Sequence, residues 1–407
     1  MKKATRKIVF LLFLALFLVS APTVVMYTAG YRLNLERFSL VKTGVFALST
    51  LPKGATVIID GKSTEKETTL ILKDAMPGEH LIRLEKENYL PWTKKLEVKE
   101  NETTFVQKAI LFLVGEPILK VAEKYLAFSF DSRGEKIAFA LQEEGWVEIW
   151  SRTLASNEEK LLLRLPQNDL DKIGLSWLVD DKTLLVKKTS GLSETQQTID
   201  QNGNSKILEN KLSEWQRDAN QLLYISPTET GTNLVLKKSS DAEQTLASLP
   251  TGNYEFLSAP PSLVLLQDKA QRKIILIDDR GVDQPILLNT EAIIAVWNPQ
   301  NAKQLLYISD FEVHIFDAEK MTDELLTRVS TPIISTAWQP TAADIFYADN
   351  KNLYALELDR RGAGRNIFTL ATMDNIEAFV PTSDGKILYL VGTRGSEVGL
   401  FERALME

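Results

Sequence analysis

Apolar and polar residues alternate in short runs along most of this chain, and such alternation is typical of strands rather than helices. The exception lies near the start, where residues 8–29, IVFLLFLALFLVSAPTVVMYTA, carry no charge. As a helix this segment would measure about 33 Å at 1.5 Å per residue, long enough to cross the hydrocarbon core of a bilayer. The pattern therefore predicts an all-β protein preceded by one apolar helix.

Positive charges precede the apolar segment, and no acid lies among them. Because Lys and Arg accumulate on the cytoplasmic side of a span, the N-terminus is predicted to stay in the cytoplasm. We therefore expect a single-pass protein of the plasma membrane, with the bilayer as its first partner. Its predicted segments are a cytoplasmic tail over 1–7 (with Lys2, Lys3, Arg6 and Lys7), a transmembrane helix over 8–29, a juxtamembrane segment over 30–43 and an extracytoplasmic body over 30–407.

A cleaved signal peptide is the alternative interpretation of the same segment. Its charged start and its apolar run over 8–19 fit that interpretation, and residues 19–21, VSA, resemble a cleavage site. Pro22 would follow the cut, however, and the apolar character resumes at residues 24–26. Both interpretations export the rest of the chain.

Residues 44–112 contain the first group of alternating runs, which include GVFALS, ATVIID, HLIRLE and TFVQKAIL. Turn signals separate them. Asp60-Gly61 is a hairpin signal because Gly accepts a positive φ, and Pro77-Gly78 is typical of a type I or II turn. This segment is predicted to form a compact antiparallel sandwich of about six strands.

The same residues resemble a known family. The stretches STLPKGATVIIDGK (49–62) and MPGEHLIRLEKENYLPW (76–92) are similar to the PEGA domain of bacterial and archaeal surface proteins. One departure is Asn88, which stands where the family has Gly; Asn tolerates the left-handed region, so the turn is expected to survive. The resemblance implies a location in the cell envelope and no enzymatic activity.

A repeat of about forty residues fills the remainder of the chain. Each unit opens with a strand that is closed by a large apolar residue, and three further alternating runs follow in six of the units. Four strands per unit of this length are the signature of a β-propeller blade, so residues 114–407 are predicted to form a seven-bladed propeller. The closing residues are Phe130, Trp177, Trp215, Leu257, Trp297, Trp338 and Val380.

The seventh unit lacks a fourth strand, because the sequence ends shortly after its third. Residues 116–123, EPILKVAE, have the texture of the other fourth strands and precede the first unit. We expect residues 117–122 to complete the last blade, because an open ring would leave strand edges unpaired.

The recurring Trp residues are predicted to pack as wedges between neighbouring blades, burying on the order of 200 Å² each. The prolines that follow the markers, Pro299, Pro340 and Pro381, are expected in turns where no backbone donor is needed. The units also resemble the WD40-like repeats of TolB-type propellers, best in FSFDSRGEKIAFA (128–140) and VPTSDGKILYL (380–390). That second resemblance implies a fold and no specific activity.

The amino-acid composition excludes several kinds of catalytic and binding site. The chain has no Cys and two His, His80 and His314, which excludes disulfides, a thiol nucleophile and a His-rich metal centre. Since residues 1–7 contribute +4 to a formal net charge of −7, the remainder carries −11. An acidic body argues against nucleic acid as a partner. No Gly-x-Ser-x-Gly elbow and no phosphate-binding Gly-rich loop occurs.

Pairs of carboxylates are the remaining catalytic candidates, since glycosidases use two acids. Each pair lies at a predicted turn, where adjacent acids are usually solvated. We therefore predict no catalytic residue, no cofactor-binding residue, no metal ligand and no cofactor. The pairs are Glu143 with Glu144, Asp180 with Asp181, and Asp278 with Asp279.

Together these patterns predict a non-enzymatic, membrane-anchored protein of the cell envelope. Its propeller would bind an envelope protein or a cell-wall glycan through loops on a rigid scaffold. Two alternatives stay open: an accessory subunit of an envelope assembly, and a propeller-type glycan hydrolase or lyase.

Overall fold

A computed structural model describes residues 3–34, 39–178, 181–191, 193–208, 214–218, 221–238, 242–281 and 283–407. Contacts between Cα atoms divide the chain into two compact units. The first unit is Met1–Val114 with Asp359–Asn366, and the second is Gly115–Leu358 with Ile367–Glu407.

The first unit begins with the predicted apolar helix, α1 (Lys3–Thr28), whose side chains from Arg6 to Thr28 are all exposed except that of Ala21, which is half-buried. The helix ends because Gly30 adopts φ +85°, a left-handed conformation that glycine accepts without strain. A two-stranded antiparallel sheet follows at once, formed by β1 (Tyr31–Asn34) and β2 (Ser39–Lys42).

Two sheets form the remainder of the first unit. One has the order β6–β3–β9 and the other the order β5–β4–β7–β8. Their strands are β3 (Gly44–Leu51), β4 (Thr56–Ile59), β5 (Lys62–Glu67), β6 (Leu70–Ala75), β7 (Gly78–Glu85), β8 (Trp92–Val98) and β9 (Thr103–Ile110).

This arrangement corrects the predicted antiparallel sandwich of about six strands. Strands β3 and β9 are parallel, with Phe46 opposite Thr104, so the first sheet is mixed. Alternation of side chains has the same period in both kinds of pairing and therefore does not reveal direction. Seven strands are present among the described residues, because β5, sequence KSTEKE, is polar and mostly exposed and shows no alternation.

Two turns of this region have the predicted conformations, whereas Gly78 has φ 135° and opens β7 instead of lying in the predicted type I or II turn. Asp60 and Gly61 both have positive φ, at 50° and 77°, as the hairpin signal requires. Asn88 also adopts the left-handed region, with φ 63°, so the expectation for this departure from the family pattern is confirmed.

Asn88 gives a local stability prediction. Asn88→Gly should leave the free energy of unfolding within about 0.5 kcal/mol of the wild type, whereas Asn88→Val should lower it by about 1–2 kcal/mol, because a β-branched residue is strained at positive φ. Hydrogen exchange of the amides in β7 and β8 measures this locally. Equal exchange in the two variants would contradict the role of the left-handed turn.

The segment Asp359–Asn366 joins the first unit although it is distant in sequence. The Lys94 side chain is 1% exposed; its ammonium donates to the Asp359 carbonyl oxygen and lies 3.8 Å from the Asp359 carboxylate. The Arg361 guanidinium donates to the Phe105 carbonyl oxygen at 2.7 Å. The predicted boundaries place this segment in the domain over 114–407, whereas its contacts place it here.

The second unit contains, among its described residues, seven four-stranded antiparallel sheets, named I to VII here. Sheet I has β11 (Ala127–Phe130), β12 (Lys136–Glu143), β13 (Trp146–Thr153) and β14 (Glu159–Pro166); it follows β10 (Ile118–Ala122). Sheet II has β15 (Lys172–Trp177), β16 (Leu184–Ser190), β17 (Ser193–Ile199) and β18 (Ser205–Leu208). Sheet III has β19 (Glu214–Asp218), β20 (Gln221–Pro227), β21 (Thr232–Lys238) and β22 (Glu243–Leu249).

The remaining sheets repeat the pattern. Sheet IV has β23 (Tyr254–Leu257), β24 (Leu263–Asp268), β25 (Lys273–Asp278) and β26 (Ile286–Glu291). Sheet V has β27 (Ile294–Trp297), β28 (Gln304–Ile308), β29 (Glu312–Asp317) and β30 (Thr322–Arg328). Sheet VI has β31 (Ser335–Trp338), β32 (Asp344–Ala348), β33 (Asn352–Glu357) and β34 (Ile367–Thr372). Sheet VII has β35 (Asn375–Pro381), β36 (Ile387–Arg394), β37 (Glu397–Ala404) and β10, in the order β10–β37–β36–β35.

Strand β10 is the segment that the sequence predicts as the last fourth strand. It lies antiparallel to β37, with Ile118 opposite Glu402 and Ala122 opposite Gly399. Residues before sheet I therefore complete sheet VII.

Buried apolar clusters join neighbouring sheets. Clusters contain residues from sheets I and II, from III and IV, from IV and V, and from V and VI. A further cluster joins Ile137 and Phe139 of sheet I to Tyr389 and Leu400 of sheet VII. The first and last sheets of the unit thus share a core.

The recurring Trp residues combine packing with a hydrogen bond to the preceding sheet. The indole nitrogens of three of them donate to backbone carbonyls at 2.8–3.0 Å. Trp177 donates to sheet I, Trp297 to Ser258, which directly follows β23 of sheet IV, and Trp338 to sheet V. This bond explains why Trp recurs where Phe or Leu would fill the same space. Trp215 lies in β19, and its side chain is outside the described residues.

Trp338 gives the clearest test of that bond, because it is 4% exposed and donates to the Val296 carbonyl oxygen at 2.9 Å. Trp338→Phe should lower the free energy of unfolding by about 1–2 kcal/mol, because it leaves the partly buried Val296 carbonyl without this donor. Trp146→Phe, at a side chain 46% exposed, is the control and should change little. Equal effects in denaturant titrations would contradict the role of the bond.

The predicted turn positions hold for two of three prolines. Pro299 and Pro340 lie in bends or turns, whereas Pro381 is the last residue of β35. Strand β35 is at the edge of sheet VII, where a residue without a backbone donor is tolerated.

Candidate functional site

Buried carboxylates in the second unit cap turns. The Asp131 carboxylate accepts from the amides of Glu135 and Lys136, at 2.8 and 2.9 Å. Burial raises the pKa of Asp131, and these amide donors oppose that rise. The same two-amide pattern recurs at three further buried positions, which are Asp268, Asp317 and Asp349.

The acid pairs named from the sequence do not converge on one site. Glu143 and Glu144 are exposed at the turn between β12 and β13. Asp181 accepts from the amide of Ser132 at 3.0 Å, and Asp180 lies outside the described residues. Among these described acids, Glu143 and Glu144 lie at the tip of a hairpin and Asp181 caps a turn, so no two of them face each other as a catalytic pair would.

Asp278 corrects the expectation that these acids are solvated. Its side chain is 4% exposed and forms an ion pair with the Arg280 guanidinium. Hydrogen bonding by Arg280 lowers the pKa of Asp278.

Each histidine lies beside at least one carboxylate. His80 contacts Asp60 through Nδ1 and the Met76 carbonyl oxygen through Nε2, both at 2.7 Å. Burial acts to raise the pKa of Asp60, but hydrogen bonds from His80 and the Leu81 amide lower it overall. His80 therefore links two turns of the PEGA-like region.

His314 belongs to a polar group on sheet V that sequence reasoning missed. Its ring stacks on Tyr307 at 4.9 Å and contacts Glu312 and Asp323 at 3.1 and 3.3 Å. Burial raises the pKa of Tyr307, whose hydroxyl donates to Asp323 at 2.6 Å. Glu312 and His314 are two residues apart and therefore lie on the same face of one strand. This spacing was the signal in the sequence from which the group could have been predicted. Among the described residues, no three Asp, Glu or His side chains are arranged so that they could hold a metal ion.

A cleft of about 440 Å³ lies between sheets I and II of the second unit and is called the I–II cleft here. Sheet I contributes Glu158, Glu159 and Lys160, and sheet II contributes Trp177 and Asp200. The Lys160 ammonium crosses between the sheets and donates to the Gln201 carbonyl oxygen at 2.6 Å. A half-buried indole thus lies among charged groups of both signs.

Asp200, at the rim of the cleft, is fixed by hydrogen bonds from its own loop. The Asp200 carboxylate accepts from the amides of Asn202 and Asn204 and from the Asn204 side chain, all at 2.8 Å. Hydrogen bonding by the Asn204 side chain and backbone lowers the pKa of Asp200. Asp200 is therefore held as a carboxylate at the rim.

Arg152 lies behind the cleft and binds one of its lining residues, Glu159. Its side chain is fully buried, over the Phe139 ring, and donates to Glu159 at 2.8 Å. The same guanidinium donates to both Glu123 oxygens and to the Tyr125 hydroxyl. Burial raises the pKa of Tyr125, so it stays a neutral phenol. This buried Arg fixes Glu159 in the cleft.

An aromatic surface with a few oriented polar groups is the usual make-up of a small-molecule site. The I–II cleft can accept hydrogen bonds at Glu158 and Asp200 and offers apolar contact at Trp177. That combination suits a flat, hydroxyl-rich ligand.

Comparison with known proteins identifies the first unit's β-region. Residues 43–110 match the PEGA domain, so this chain contains a PEGA domain, as its sequence motifs predict. A search of curated proteins found no match.

The structural neighbours are WD40 and β-propeller proteins that cover most of the chain. They include a chain of the mitotic checkpoint complex, with TM-score 0.48 and 12% identity over 70% of this chain and 92% of that one. The C-terminal WD40 domain of Sif2 has TM-score 0.44 and 12% identity over 72% and 99%. An oligogalacturonate lyase in complex with manganese has TM-score 0.47 and 13% identity over 70% and 90%. At these values the lyase's activity and metal remain properties of that protein.

Proposed function

We propose that this chain is a non-enzymatic, membrane-anchored protein of the cell envelope whose seven sheets form one closed propeller, with the I–II cleft binding a cell-wall glycan. The observation that carries this proposal is the cleft itself, which Trp177 lines together with the carboxylates of Glu158, Glu159 and Asp200 and the ammonium of Lys160.

Two observations support export and anchoring. The segment Arg6–Thr28 contains an uncharged apolar stretch of which nothing is buried in the protein, and it is long and apolar enough to span a bilayer. PEGA domains are extracellular. A signal sequence has the same apolar character, and mass spectrometry of the mature N-terminus separates the two. Retention of residues 1–29 supports the anchor, and a chain beginning near residue 22 contradicts it.

Ring closure is supported by two independent contacts. Strand β10 completes sheet VII, and a buried cluster joins sheet VII to sheet I. In a closed ring every sheet packs between two neighbours, which makes a propeller a suitable carrier of surface loops.

A binding role rather than catalysis is supported by the engagement of the acids. Asp200 caps its own loop, and Glu159 is paired with Arg152. Hydrogen bonding lowers the pKa of Asp200, whereas a general acid at neutral pH needs a raised one. The cleft therefore fits recognition of an uncharged or weakly cationic ligand better than bond cleavage.

The test is binding of soluble cell-wall glycan fragments to the full chain in lipid nanodiscs. Trp177→Leu and Glu158→Gln should each weaken binding about tenfold or more, as truncation of an anchoring contact does. Trp146→Leu, an exposed Trp outside the cleft, is the matched control and should bind as the wild type.

Three results would overturn parts of the proposal. Absence of glycan binding would remove the ligand class, and recovery of a specific envelope protein instead would make the partner a protein. New reducing ends or unsaturated products in the incubated glycan would show catalysis.

A further inference from the structure

A small apolar surface lies directly beyond the end of α1. The β1–β2 hairpin is a sheet of its own, with Leu33 opposite Leu40. These two side chains are 55% and 54% exposed. Tyr31 and Lys42 are opposite each other two residues away, so all four lie on one face of the hairpin.

The opposite face is tied to the protein. The Arg32 guanidinium lies 3.7 Å from the centre of the Tyr27 ring at the helix end and donates to the Tyr27 carbonyl oxygen at 2.8 Å. It also forms an ion pair with Asp74 of β6 at 2.8 Å. Arg32 therefore fixes which face of the hairpin is left open.

The connection to the helix is short and hydrogen-bonded. The Gly30 carbonyl oxygen accepts from the Thr43 amide at 3.0 Å and from the Thr43 hydroxyl at 3.1 Å. These bonds join the start of the hairpin to its end, two residues beyond α1. If α1 spans a bilayer, the hairpin lies at the level of the lipid headgroups.

The side chains of the open face suit that level. Tyr is enriched at membrane–water interfaces, and a long Lys extends its ammonium toward phosphates while its stem stays apolar. The Lys42 ammonium lies 5.3 Å from the Tyr31 ring centre, so the cation and the aromatic ring are side by side. A lone two-stranded sheet with two exposed Leu is marginal in water and is stabilised by an apolar cover.

We propose that the Leu33–Leu40 face of the β1–β2 hairpin lies in the interfacial layer of the bilayer that holds α1, with Lys42 at the phospholipid phosphates. The hairpin then sets the orientation of the PEGA domain on the membrane surface. This inference rests on the proposed membrane anchor.

The absence of native Cys allows single reporter cysteines in the full chain. Leu40→Cys reports the open face, Val41→Cys the opposite face, Leu16→Cys the helix and Ile207→Cys an exposed site of the second unit. Each variant is labelled with an environment-sensitive fluorophore and placed in phosphatidylcholine–phosphatidylglycerol vesicles. Quenching is compared for nitroxide lipids labelled near the glycerol and near the chain end.

The label at position 40 should be quenched by the shallow nitroxide several-fold more than the labels at 41 and 207. The label at 16 should be quenched by the deep nitroxide. A deep label at 16 with a label at 40 as weakly quenched as 207 overturns the hairpin proposal and leaves the anchor intact. Equal quenching at 40 and 41 contradicts a docked face, and an unquenched label at 16 contradicts the anchor and with it this inference.

Because the fluorophore is itself apolar, the rate of labelling by a charged, water-soluble maleimide gives a second measurement. In vesicles, the Leu40→Cys variant should react several-fold more slowly than the Ile207→Cys variant, each rate being taken relative to that of the same variant unfolded in denaturant. Equal relative rates at positions 40 and 207 overturn the proposal.

Discussion

Replacing Gly399 by alanine is expected to lower the free energy of unfolding of the second unit by about 3 kcal/mol, from left-handed backbone strain and overpacking together. Gly399 has φ +151°, and a Cβ there would lie 2.0 Å from the Val121 carbonyl oxygen of β10. To reach an ordinary van der Waals distance, the Val121 carbonyl would have to move by more than an ångström, which would separate β10 from β37. The variant should therefore release the strand that completes sheet VII.

Gly395 is the matched control, because it lies in the same hairpin with φ +59° and has no atom within 4 Å of the position that a Cβ would occupy. Gly395→Ala should cost about 1 kcal/mol, from the positive φ alone. Denaturant titration of both variants, with hydrogen exchange at residues 118–122, separates strain from the clash. Equal losses in the two variants would show that β10 does not press against Gly399.

Arg152→Met is expected to cost about 3 kcal/mol, because removing one partner of a buried ionic group leaves charges without compensation. Glu123 and Glu159 would face each other across an apolar gap beside Phe139 and Tyr125. Because Glu123 and Glu159 both keep some contact with water, we expect a loss of unfolding free energy at the lower end of the range of about 3–5 kcal/mol for breaking a buried ion pair.

Two further variants make this prediction specific. Arg272→Met removes a guanidinium that is 52% exposed from a partner, Asp310, that is 45% exposed, and it should cost less than about 1 kcal/mol. The triple variant Arg152→Met, Glu123→Gln, Glu159→Gln should be more stable than Arg152→Met alone, because no uncompensated charge remains. Denaturant titrations measure all three, and a triple variant less stable than the single one would contradict this electrostatic account.

The period of the repeat was visible in the sequence because its signals are local. Trp177, Trp297 and Trp338 end the first strands of their sheets, where the spacing of apolar residues and turn residues places them. The left-handed φ of Asn88 was also local, since it follows from the turn chemistry of one residue type.

Features that depend on distant contacts were not predictable in this way. The parallel pairing of β3 with β9 leaves no trace in alternation, and the all-polar β5 shows no strand signal. Lys94 stands in a run of polar and charged residues, yet its side chain is 1% exposed because the Asp359 segment covers it. Burial of this kind is decided by residues hundreds of positions away.

The I–II cleft likewise combines one residue that the sequence predicted with contacts that it could not predict. The Trp that lines it was named from the repeat, but as a packing residue. Its polar surroundings come from a turn of sheet I and the end of β17, which no local pattern joins. Arg152 looks like an ordinary strand residue in the sequence, and only the structure reveals that it holds Glu159 and Glu123 together.

The most direct test of the closed ring is a disulfide between β10 and β37. Ile118 and Glu402 are opposite each other, and both side chains reach the surface, so Ile118→Cys with Glu402→Cys changes no core residue. Cross-strand partners lie within the range that a disulfide spans. We expect mild oxidation to form this bond within one chain, and the out-of-register pair Ile118→Cys with Glu397→Cys to form none. Failure of the first pair to join, or equal joining of both pairs, would contradict the closure of the ring by residues 118–122.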